Sequence, residues 1–216
     1  MSFRLTMLKR CHLITLFLGL TGYSLFAQVV NSPVKFADSG AITPTFVEPP
    51  SVGETNGGGG SSDDQWLKVE FRFSVTKDAG AFLDAVEFKI WIEGRDMLDP
   101  QGKPNEGVPV ALTGSVTYVN LAQNNNVYGV FYVPPSTLKR YCKLSPSDFE
   151  RLFNIHIEAN VDGKYADSID ENKEKDPKWY QPLKAMAGFV YRQNQCAFIV
   201  TDPNHYPAIK LPAESN

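Results

Sequence analysis

The stretch Trp66–Thr76, WLKVEFRFSVT, constrains the fold more than any other part of this 216-residue chain. Leu67, Val69, Phe71, Phe73 and Val75 fall on one side of an extended backbone, and Lys68, Glu70, Arg72 and Ser74 on the other. A period of two is that of a β-strand with one face on a core and one in water. Coiled as a helix, the same residues would scatter their apolar side chains around every face. Val86–Ile92 repeats the pattern: Val86, Phe88, Ile90 and Ile92 alternate with Glu87, Lys89, Trp91 and Glu93. So does Ile155–Val161, where Ile155, Ile157, Ala159 and Val161 alternate with His156, Glu158 and Asn160.

The segments between these strands supply the rest. Ala41–Val47 reads as an edge strand, because Pro44 removes a ladder donor and is tolerated only at an edge. Val110–Val119 is rich in β-branched residues, and Val127–Val133 returns across the Asn-dense 120–126 loop. These two are expected to pair as an antiparallel hairpin. Gly94–Pro109 reads as a long solvated connection. Asp162-Gly163 marks a tight turn into Lys164–Ile169. Ser136–Cys142 and Pro146–Leu152 predict two short helices, capped by Ser136 and Ser145. Ala185–Tyr191 and Cys196–Thr201 predict the last two strands. Seven to eight short strands with one or two crossover helices make a mainly all-β chain. We expect an immunoglobulin-like β-sandwich.

The start of the chain reads as a secretory signal over residues 1–27. Arg4, Lys9 and Arg10 precede a short apolar run at Leu13–Leu20, and Ser24–Ala27 resembles a cleavage end. The run is shorter than the ~20 apolar residues that span a bilayer, so no transmembrane segment is expected after processing. A type IV pilin leader would place a glutamate where Ala27 stands. Residues 28–65 hold the first edge strand and a Gly/Ser linker at Asn56–Asp64, NGGGGSSDD. Residues 66–216 form the sandwich domain. The 189 residues after the leader suffice for one core. Without the three leader cations, 18 of the 21 basic residues face 24 acidic ones, a formal charge of −6. That balance argues against nucleic acid as a partner. An exported, disulfide-permissive address makes Cys142 and Cys196 an expected bridge.

Chemistry-bearing motifs are sparse. The four glycines at 57–60 lack the Lys-Ser/Thr ending of a phosphate loop. Gly114-Ser115 lacks the second glycine of a nucleophile elbow. His156 and Glu158 share one strand face but have no nucleophile near them in sequence. The acidic run from Asp162 to Asp176 does not follow a calcium-loop pattern and is interleaved with lysines. No enzyme activity, metal or cofactor is expected. Binding has more to offer: Trp91 sits among charges, and Tyr128 and Tyr132 share one strand face, where aromatic rings can stack on a sugar or on another protein. A glycan- or ligand-binding module is therefore the alternative to a structural role.

Several motifs in order carry a resemblance: Trp66–Phe71, Leu83–Lys89, Leu112–Asn120, and Tyr128–Val133 followed by Pro135 and Thr137-Leu138, preceded by Ile42–Phe46. Together they resemble secreted pilus-like proteins of mucin-associated bacteria over roughly Ile42–Lys164. The resemblance implies an immunoglobulin-like sandwich close in shape to pilin domains, without catalytic residues. It also implies export to the periplasm, outer membrane or cell surface, with other exported or outer-membrane proteins of a pilus-like assembly as partners. The Gly94–Pro109 connection and the cysteine-bearing C-terminal third depart from that pattern.

Overall fold

A computed structural model of the chain describes residues 32–38, 40–50, 64–76, 80–98, 104–142, 154–171, 176, 178–202 and 204–211. The expected leader, the glycine-rich linker and the second short helix lie outside these residues.

Among the described residues, ten strands build two five-stranded sheets, an all-β sandwich. In the first, β3 (Trp66–Val75) is flanked on one side by β6 (Asn124–Val133) and on the other by two short strands. β1 (Val34–Phe36) pairs with the end of β3, from Phe73 to Val75, and β2 (Ile42–Val47) with its start, from Trp66 to Phe71. Arg72 N–H donates to Ala41 C=O at 2.7 Å. Alternation along β2 then turns the Pro44 nitrogen to the outside of the sheet, where its missing proton breaks no ladder bond. A two-residue strand, β10 (Tyr191–Arg192), lies beyond β6.

The second sheet runs β8-β7-β4-β5-β9. β4 (Phe82–Leu98) and β5 (Pro104–Ala122) form a long antiparallel ribbon, and β7 (Ile155–Val161) lies on the other side of β4. β8 (Lys164–Asp170) returns from β7 through Asp162 and Gly163, both with positive φ, 51° and 73°. That geometry is the reason for the Asp-Gly pair.

Five expectations change. Gly94–Leu98 and Pro104–Pro109 are strand, not loop: the ribbon continues through Arg95↔Pro109 and Asp96↔Val108 to Leu98↔Pro104, and residues 99–103 lie outside the described ones. Gly94, Pro104, Gly107 and Pro109 interrupt the alternation that would have revealed it. β5 and β6 do not pair; the chain crosses between sheets at Gln123, and β6 joins β3 while β5 joins β4. The helix α1 (Pro135–Tyr141) starts on Pro134 and Pro135 with no side-chain cap, so Ser136 is inside it. The strand expected at Ala185–Tyr191 is divided into Lys184–Ala187 (β9), which runs parallel to β5, and β10. Ala197–Val200 is a 3-10 helix rather than a strand.

The core lies between the sheets. Leu67, Val69, Phe71, Phe73 and Val75 face Val86, Phe88, Ile90 and Ile92, all at most 1% exposed. Both open sides of the sandwich are closed by polar contacts. On one, Phe36 N–H donates to Asp167 Oδ2 at 2.8 Å, linking β1 to β8. On the other, Val130 N–H on β6 donates to the fully buried Tyr118 hydroxyl of β5 at 2.9 Å. Near it the chain passes from β9 to β10 over Gly114, where a Cβ would stand 2.9 Å from the Val190 carbonyl oxygen.

Tyr118→Phe leaves the Val130 N–H without its partner, and a buried unpaired donor costs about 1–3 kcal/mol. Urea unfolding should show that loss at an unchanged m-value. A loss below ~0.5 kcal/mol would mean that the hydroxyl does not close this side.

Candidate functional site

The C-terminal segment decides where the chemistry-bearing side chains end up. After β10 it makes two 3-10 turns, Gln193–Gln195 and Ala197–Val200, over the outer face of the first sheet. Gln193, itself buried, holds the second turn by donating from Nε2 to the Phe198 and Thr201 carbonyls at 3.2 and 2.7 Å. Phe198 lands flat on Tyr132, with ring centroids 4.4 Å apart and planes 5° apart, and edge-on to Trp66 at 5.6 Å. His205 then stacks on Tyr128 at 4.7 Å. Val130, Tyr132, Phe198 and Tyr206 form a second apolar cluster, separate from the main core. Beyond it, Val119 N–H donates to Ala208 C=O and Lys210 N–H to Thr117 C=O, so the segment also pairs with the free edge of β5.

Glu70 is the polar anchor of this cluster. Tyr206 donates its hydroxyl to Glu70 Oε2 at 2.6 Å, Lys68 Nζ lies 2.9 Å from the same oxygen, and His205 Nε2 lies 3.5 Å away. Burial alone would raise the Glu70 carboxyl. The hydrogen bonds from Tyr206 and Lys68, with the Lys68 charge, outweigh it and hold the carboxyl below its ordinary range. Burial and the adjoining carboxylate push the Tyr206 hydroxyl far upward, so it stays a donor.

A second polar cluster sits on the outer face of the other sheet. His156, 3% exposed, places Nδ1 2.9 Å from Asp170 Oδ1 and Nε2 3.4 Å from Glu158 Oε1. The Tyr180 ring covers the imidazole at 4.3 Å, and its hydroxyl donates to Glu158 at 2.6 Å. Burial first, then the bond to Glu158, pushes that hydroxyl up to about 12. Trp179 Nε1–H donates to Asp170 at 3.2 Å, and Trp91 packs on Tyr180 at 4.6 Å. His156 and Glu158 do share a face, as their spacing implies. Asp170 joins them through the β7–β8 hairpin that Asp162-Gly163 marks; Trp179 and Tyr180 join only through the turn that follows, which no local pattern announces. Asp170, at the head of the charged loop, is engaged by His156 and Trp179; residues 172–175 and 177 lie outside the described ones.

The expected binding surface is thus divided. Tyr128 and Tyr132 share one sheet face but lie under His205 and Phe198, with Tyr132 only 2% exposed. Trp91 is on the other sheet, half-buried beside Tyr180. The expected Cys142–Cys196 bridge is not formed, and both are free thiols. Cys142 ends α1 against the main core, and Cys196 lies in the second cluster, with Sγ 3.4 Å from the Gln193 carbonyl oxygen. Burial pushes the Cys142 thiol up to about 12, far from a reactive thiolate.

A protein-family model matches residues 30–212. The chain belongs to that family. A crystal structure from Akkermansia muciniphila has a similar fold, with a TM-score of 0.67 over 84% of this chain and 94% of that one, at 19% identity. No match exists among curated proteins. Among the described residues, no helix is long and apolar enough to cross a membrane.

The sign of the Glu70 effect is testable. A carboxyl held below its ordinary 4.5 contributes stability above that pH and loses it as pH falls through the lowered value. Between about pH 6 and pH 3, the wild-type Tm should fall more steeply than that of Glu70→Gln. Parallel curves would remove Glu70 from its role as anchor.

Proposed function

We propose that this chain is an exported, non-catalytic structural or accessory component of a pilus-like surface assembly, working with other exported or outer-membrane proteins. The observation that carries this reading is the family match over residues 30–212, on a sandwich shared with a protein of a mucin-associated bacterium. The secretory leader expected at residues 1–27 fits it, as does the run of strand motifs that resembles secreted pilus-like proteins.

The placement of the polar groups supports the same reading. A substrate could reach His156 only by displacing Tyr180, which is stacked on it and bonded to Glu158. Glu70, Tyr206 and His205 spend their polar atoms on fastening the C-terminal segment. These side chains hold the outer faces of a rigid sandwich, which is what a load-bearing or docking module needs. The glycan-platform alternative loses Tyr132, which lies beneath Phe198.

Cross-linking on intact cells, followed by mass spectrometry, tests the proposal. Cross-links should join this chain to other exported subunits, and antibodies to it should label extracellular structures. A chain that stays inside the cell, or is recovered at the surface only as an isolated monomer, would contradict it.

A further inference from the structure

A cleft of about 520 Å³ opens beside Trp91, on the outer face of the second sheet. That volume is in the range of small-ligand sites, roughly 300–1,000 Å³. Strand register explains why it is there. Trp91 of β4, Thr113 of β5 and Ala187 of β9 are cross-strand neighbours in one row. The row descends from an indole through a hydroxyl to a methyl group, so the sheet surface is walled at one end and low at the other. Lys89 stands next to Trp91 on the same face, and Arg192 and Gln195 line the cleft from beyond β9.

We infer that this cleft binds an acidic sugar, a pyranose carrying a carboxylate or a sulfate. The inference does not depend on the assembly reading. One face of a pyranose is a row of C–H bonds, and Trp91 offers it a flat apolar ring. The hydroxyls of the sugar meet Thr113 and Gln195, which can both donate and accept. Its anionic group meets Arg192 and Lys89. Lys89 is 44% exposed and lies 3.4 Å from Glu87, so its charge is shared. Arg192 lines the cleft with a half-buried side chain. A carboxylate or sulfate is the group that a guanidinium pairs with best. An acidic peptide would supply the charge, but not the C–H face that suits Trp91.

Calorimetric and NMR titration of the full processed chain with glucuronic acid and galactose 6-sulfate tests this, with neutral galactose, inorganic sulfate and an oligoglutamate peptide as comparisons. The acidic sugars should bind at least about tenfold more tightly than all three comparisons and shift the Trp91 indole resonance. Ala187→Trp fills the cleft from an exposed edge position, and Arg192→Gln removes the cation. Each should weaken acidic-sugar binding by about tenfold or more with the Tm unchanged, so lost binding is not lost folding. Several results would overturn the assignment: no binding by the wild type, equal binding of neutral galactose, sulfate binding as tightly as the sugars, tighter binding of the peptide, or variants that bind like the wild type.

Discussion

Phe71 and Phe73 of one sheet close on Phe88 of the other, with ring centroids 4.9 and 4.7 Å apart. The rest of the sandwich depends on this contact. Side chains alternate along a strand, so a slip of one residue in β3 would turn Phe71 and Phe73 out to water, and one in β4 would turn out Phe88. Phe71 needs room to reach across, and Gly129 on β6 supplies it: a Cβ there would fall 2.1 Å from the ring. Four residues on three strands thereby fix the register of both sheets. The polar bonds at the two open sides, from Phe36 to Asp167 and from Val130 to Tyr118, can form only in that register.

A sandwich fixed in this way still has two outer faces, and one segment after β8 serves both. The Trp179–Tyr180 turn covers His156 on one sheet; the chain then adds β9 to the edge of β5, crosses over Gly114, adds β10 beside β6, and lays Phe198 and Tyr206 on the other sheet. The exposed β-edges that invite unwanted pairing are thereby shortened. Edge β5 is paired at residues 110–113 by β9 and at 117–119 by the 208–210 stretch. The same wrapping explains why the aromatic residues on the outer face of the first sheet are not free platforms. Tyr128, Tyr132 and Trp66 lie beneath a second, smaller core.

How legible this was in the sequence follows from how local each signal is. β3, the centre of β4, β7 and the Asp162-Gly163 turn are encoded by residues adjacent along the chain, and alternation alone reveals them. The extended β4–β5 ribbon was hidden because glycine and proline interrupt its pattern. Phe198 looked like part of a strand because Ala197–Val200 is apolar throughout, and a short apolar run does not distinguish a strand from a turn packed on a sheet. The two cysteines suggested a bridge by number and compartment, but neither number nor compartment encodes distance. The two polar clusters have the weakest sequence signal. Glu70 meets Tyr206 across 136 residues. His156 is recognisable beside Glu158, while Tyr180 and Trp179 are not.

The C-terminal segment is therefore a structural part of the sandwich and not an appendage to it. Deleting residues 189–216 from the processed chain and following thermal unfolding, with near-ultraviolet circular dichroism, tests this most directly. The account predicts a large drop in Tm, or loss of the cooperative transition, together with loss of the aromatic signal from Trp66 and Tyr132. A truncated chain with the wild-type Tm and an intact aromatic signal would contradict it.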